Sequence, residues 1–155
     1  MPVTRLVLAL AAAAALLGSV VVAPRVAAGT EVTGGGSGSV RPAWVGDDPV
    51  WVVTDDDGAT TVVSAVNPHP WFGMKELVGW CPRLHAFSGF YDGSRFDRLG
   101  YYLFGPAPHG LARYEVEGRD GSRVRVGAML PAAPRGAGPD SGPHRGSCRS
   151  DMFGG

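Results

Sequence analysis

Hydrophobic positions in this chain mostly follow the two-residue period of β-strands. "VWVVT" (Val50–Thr54) and "TTVVSAV" (Thr60–Val66) are β-branched apolar runs, and "DDDGA" between them supplies a turn, so the pair predicts a hairpin. In "ARYEVEG" and "RVRVGA", Tyr114 and Val116 alternate with Arg113 and Glu115, and Val124 and Val126 alternate with Arg123 and Arg125. That alternation predicts a second hairpin, half-buried, with its turn at Asp120–Gly121. "SRFD" and "YYLF", on either side of Leu99–Gly100, predict a third. Helical periodicity is absent from all of these stretches. The class that follows is all-β, a small sandwich or barrel of successive hairpins.

The N-terminus reads differently. Leu6 through Ala23 is an uncharged apolar run, longer than the roughly 7–15 residues of a signal core and long enough for a hydrophobic helix. "VAA" at residues 26–28 offers the small residues that signal peptidase prefers, which would leave Gly29 as the mature start. Residues 1–28 are thus expected to be a signal peptide or a membrane anchor, and both readings export the domain. Residues 29–39, rich in Gly and Ser, read as a flexible linker. Residues 131–155 contain ten Gly or Pro and few large apolar side chains, and read as a disordered tail. The folded domain is then expected at residues 40–130.

Composition removes some function classes. The formal net charge is zero and no basic run occurs, so nothing points to nucleic acid. Ser64 and Ser94 have no histidine that the sequence places beside them, so no nucleophile–base pair can be assigned. Asp55–Asp57 lack the spacing of a calcium loop and read as a solvated turn. The stretch from Asn67 to Tyr91 is long for a plain connection. It holds Trp71, Phe72, Trp80, Phe87, Phe90 and Tyr91, too many aromatics to stay unpacked.

"DGSRFD" (Asp92–Asp97), followed by "GPAP" (Gly105–Pro108) and preceded by "VSAVNPHP", resembles the Rieske [2Fe–2S] domain. That family's ligand loops read Cys-x-His and Cys-Pro-x-His-Gly-Ser-x-(Phe/Tyr)-Asp, and a Gly-Pro-Ala-Pro loop covers the cluster. The resemblance implies a Rieske-like β-sandwich from about Val50 to Ala128, with an electron-transfer association and a protein partner in such a complex. Carried over singly, the first cysteine falls on Asn67, the first histidine on His69, the second cysteine on Gly89 and the second histidine on Asp92. Ser94 takes the place of the serine that hydrogen-bonds a cluster sulfur, and Gly105, Pro106, Ala107 and Pro108 that of the proline loop. One ligand in four remains, and neither a carboxamide nor a hydrogen replaces a thiolate. The expectation is therefore a degenerate site without cofactor, in a structural or accessory module; the [2Fe–2S] cluster enters by resemblance alone.

Two other readings stay open. A carrier with unusual ligands would draw on Cys81, His85 and Cys148. A mononuclear centre would draw on His69, Cys81, His85 and Asp92, side chains that zinc or copper favours. The cysteines themselves either pair, with a Cys81–Cys148 disulfide closing the tail over the site, or leave Cys81 buried beside Trp80 and Cys148 free.

Overall fold

The structure, a computed structural model, describes residues 29–70, 72–138 and 148. The expected signal or anchor at residues 1–28, Trp71 and most of the expected tail lie outside the described residues. Among the described residues no helix is long and apolar enough to cross a membrane.

The described residues form an all-β fold of ten strands in two antiparallel sheets. The larger sheet runs in the order β1 (Thr30–Thr33), β10 (Arg123–Leu130), β9 (Arg113–Asp120), β4 (Thr60–Ser64), β3 (Asp48–Thr54) and β2 (Val40–Val45). It curls towards a barrel until β1 and β2, its two ends, lie against each other. The smaller sheet runs β5 (Val78–Cys81), β6 (Ala86–Gly89), β7 (Arg95–Asp97) and β8 (Tyr102–Phe104). All three expected hairpins form: β3 with β4, β7 with β8, and β9 with β10.

Strands β3 and β4 read as unbroken apolar runs because both of their faces are buried. Val50, Val52 and Val62 point into the curl of the large sheet with Val45, Tyr114, Val124 and Val126. Val53 and Val63 point the other way, onto Val78, Phe87, Phe96, Ala107 and Leu111 of the small sheet and its loops. Strands β9 and β10 have one wet face, hence their alternation. Tyr114 on β9 donates a hydrogen bond from its hydroxyl to Asp48 Oδ2 at 2.9 Å, tying β9 to the start of β3.

The folded region is larger than residues 40–130. In the segment read as a linker, Thr30–Thr33 pair with Arg123–Val126, and Val32 enters the core. Gly34 N–H donates to Ser122 O at 2.7 Å, and Gly35 O accepts from Arg119 Nη2 at 2.6 Å. The tail is also engaged at its start. Gly110 N–H donates to Ala133 O, and Arg135 Nε donates to Ala107 O at 2.8 Å. Both corrections have one cause: backbone pairing with a distant strand or loop holds a segment whose own side chains bury little.

The aromatic stretch from Asn67 to Tyr91 contains β5, a single 3₁₀ turn at Pro82–Leu84, and β6. Phe87 is fully buried, with its ring centroid 5.0 Å from that of Trp80 and 5.8 Å from that of Trp51. Phe72, Phe90 and Tyr91 are exposed.

Candidate functional site: a polar plug between three loops

Three loops meet at one end of the small sheet. The first leaves β4 and returns to β5, and its base is closed by a bridge between Val66 and Leu77 and by Asn67 N–H donating to Glu76 O at 2.8 Å. Asn67 Oδ1 accepts from His69 N–H at 3.1 Å, an Asx turn that fixes the backbone carrying the imidazole. Pro68 and Pro70 flank His69 and offer no competing donors.

The second loop joins β6 to β7 and is closed by Gly89 N–H donating to Ser94 O at 2.8 Å. Asp92 folds back over it. Its Oδ1 accepts from Ser94 N–H and its Oδ2 from the Ser94 hydroxyl, both at 2.7 Å. Ser94 Oγ in turn accepts from Ala107 N–H at 3.0 Å, which brings in the third loop. Gly105 there has φ of 100°, and a β-carbon on it would lie 3.0 Å from Ser94 N. Only glycine allows this approach. Arg135 clamps the loop from outside, donating to Gly105 O at 3.1 Å and to Ala107 O, with its guanidinium 4.4 Å above the Tyr102 ring.

The centre is filled by polar side chains. Glu76 Oε2 accepts from Asn67 Nδ2 at 2.8 Å, and Oε1 accepts from Tyr91 N–H at 2.5 Å. Asn67 and Glu76 are both buried, so each hydrogen bond offsets a desolvation cost that would otherwise oppose folding. His69 Nδ1 lies 3.2 Å from Asp92 Oδ2, off the line of a hydrogen bond; the Asp92 side chain is 1% exposed and that of His69 34%. Gly89 sits beneath. A β-carbon at this position would fall 2.7 Å from Asn67 Nδ2 and 3.2 Å from Glu76 Oε1, and would collide with Asp92 Oδ1.

The four positions carried over from the Rieske motifs, Asn67, His69, Gly89 and Asp92, therefore come together, as do Ser94 and the loop from Gly105 to Pro108. The four metal candidates do not. Cys81 pairs across the hairpin with Ala86 while Gly89 pairs with Val78, so Cys81 is about 10 Å further along β5, at the turn end. Its sulfur is bonded to Cys148, with the two Cα atoms 5.7 Å apart. His85 adopts the left-handed conformation at the end of the 3₁₀ turn, with its ring edge-on to Trp80. Among the described residues no group of three or more His, Cys, Asp or Glu is arranged to hold a metal ion.

The disulfide joins Cys148 to the β5–β6 turn, away from the three loops. Among the described residues, the centre is filled by Asn67, Glu76 and Asp92 rather than by the aromatics of the long stretch. Glu76 and Arg135 had no motif to mark them. The signal for Glu76 was register alone: with Val66 opposite Leu77, Asn67 falls opposite Glu76.

Ser94, Asp92 and His69 are the side-chain types of a hydrolytic triad in an unproductive order. The hydroxyl is buried and bonded to the carboxylate, not to the imidazole, so the imidazole is not placed to take its proton. The donors around Gly89 are carboxylate, carboxamide and imidazole. A Rieske cluster asks for two thiolates, and both cysteines are committed to the disulfide, so these residues do not fit it. Among known proteins, the chain matches no family model and no curated protein.

Proposed function

We propose that this protein is an exported Rieske-like module whose cluster position has been taken over by a hydrogen-bonded plug, and that it serves as a structural or accessory partner in an electron-transfer assembly. One observation carries the reading. Three segments matched to the family by short motifs alone, around residues 67–69, 89–94 and 105–108, lie side by side, and Glu76 and Asp92 close over the bare Gly89. A plug in which Asn67, Glu76, Asp92 and Ser94 bond to one another and to backbone N–H groups preserves the geometry of the loops without iron.

The role of the end so preserved is to meet a protein. Phe72 (86% exposed) and Met74 project from the first loop and Tyr91 (71%) from the second, an apolar set on loops whose backbone is fixed from inside. Exposed aromatic and Met side chains on rigid loops suit a protein interface.

Iron and acid-labile sulfide analysis of the purified protein, with EPR after dithionite reduction, tests the proposal. The expected result is a colourless protein without stoichiometric iron. A brown protein with a rhombic signal overturns it.

A further inference from the structure

A concave site borders the plug, between β2, β3 and β5, and shares Leu77 and Phe90 with the first and second loops. It is a groove of about 510 Å³, within the range of small-molecule sites. Val50 and Val78 form its floor and are almost fully buried. Trp51 and Trp80 make its walls, braced from behind by Phe87 between them. Trp44, Leu77 and Phe90 stand at its rim, with Trp44 64% exposed. The fourteen described residues lining it include no charged, hydroxyl or amide side chain.

We propose that this groove binds an uncharged hydrophobic small molecule bearing a planar ring. Charge complementarity selects the class: an ionised ligand would lose its hydration with no counter-charge in the lining to replace it, and the Trp51 indole N–H is already committed to Val78 O. The indole faces select the ring, since stacked and edge-on aromatic contacts add to simple burial. The walls are set before binding. Trp51 Nε1 donates to Val78 O at 3.0 Å, which fixes that ring and reduces the ordering that a ligand must impose.

An added β-strand is disfavoured in the same place. Val78 N–H already donates to Ala65 O and Val78 O already accepts from Trp51, so Val78 has no free ladder group to offer. Pro42, on the β2 side, has no N–H. Recognition is left to side chains, and these offer mainly apolar surface.

The test uses the full-length, disulfide-bonded protein titrated with uncharged N-phenyl-1-naphthylamine and with anionic 1-anilinonaphthalene-8-sulfonate, following probe emission and tryptophan quenching. Two variants, Leu77→Lys and Trp44→Lys, each put a charge at the rim on an exposed residue. Thermal unfolding checks that each is folded, and Phe72→Ser, on the first loop, is the control. The expected result is one saturable site per chain for the neutral probe, at least tenfold weaker in either lysine variant and unchanged in the control, with the anionic probe at least tenfold weaker than the neutral one. Absence of saturable binding, or equal binding by the lysine variants, overturns the proposal. So does a concentration-dependent dimer that excludes the probe, which would make the groove a contact between copies. Binding to phosphatidylcholine vesicles without probe binding also overturns it, because the ligand would then be a lipid surface. Iron content bears on none of these outcomes, so the groove and the plug can fail separately.

Discussion

Asn67 and Glu76 face each other across the base of the first loop, carboxamide to carboxylate at 2.8 Å, and both are buried. Glu76 also holds Tyr91 N–H, so a single side chain joins two of the three loops. Glu76→Ala would leave one buried donor, Asn67 Nδ2, and one part-buried donor, Tyr91 N–H, without an acceptor. Charge-assisted bonds of this kind contribute about 1.5–3 kcal/mol, and an orphaned group adds its own penalty. Urea unfolding is expected to show a loss of about 3 kcal/mol for Glu76→Ala and a smaller one for Glu76→Gln, which keeps one oxygen acceptor. Equal stability of Glu76→Ala and wild type would mean that the plug does not hold the loops.

Gly89 is constrained by space rather than by backbone conformation, since its φ is not positive. Gly89→Ala must displace Asn67 and Asp92 from their partners, and overpacking of this kind costs about 1–3 kcal/mol. Gly36, with open space where its β-carbon would go and no positive φ, is the matched control. Gly36→Ala should leave the unfolding midpoint unchanged while Gly89→Ala lowers it.

The Cys81–Cys148 bridge spans 67 residues of sequence and joins the β5–β6 turn to the tail. Closing so long a loop restricts the unfolded chain, and the stabilisation expected is about 2–4 kcal/mol. Cys81→Ser with Cys148→Ser should lower the melting temperature by that equivalent. Thiol titration of the denatured wild type should find no free thiol until reductant is added.

How far the sequence reveals this fold depends on how local each pairing is. Hairpins β3–β4, β7–β8 and β9–β10 carry their turns between them, at Gly58, Gly100 and Gly121, and were readable. Strand β1 has one buried residue, Val32, and pairs with β10 some ninety positions away, so its short sequence reads as linker. Strand β2 contains Arg41 and Pro42, and β5 contains Gly79 and runs into Pro82, so neither matches a strand pattern. The site divides along the same line. Asn67, Gly89, Asp92 and Ser94 were found by short motifs, whereas Glu76 and Arg135 act on partners nine or more positions away and resemble any surface charge.

Asp97, the last residue of the motif "GSRFD", sets the pH dependence most directly. Its Oδ1 accepts from Leu99 N–H at 2.9 Å and Tyr101 N–H at 2.8 Å, forming the β7–β8 turn. Burial pushes its carboxyl above the ordinary value of 3.8, outweighing the backbone donors and the Arg113 guanidinium, which act in the opposite direction. With a folded pKa above the unfolded one, the unfolded chain gives up this proton first. The contribution is therefore fully present below pH 3.8 and declines as pH rises through the folded value, beyond which it is level. Asp97→Asn keeps an oxygen for both N–H donors and removes the buried charge. Urea midpoints taken at intervals from pH 3 upward should show the variant gaining on wild type as pH rises through the weakly acidic range, and then holding that margin at neutrality. Parallel curves for the two proteins would place the carboxyl in solvent and remove burial as the cause.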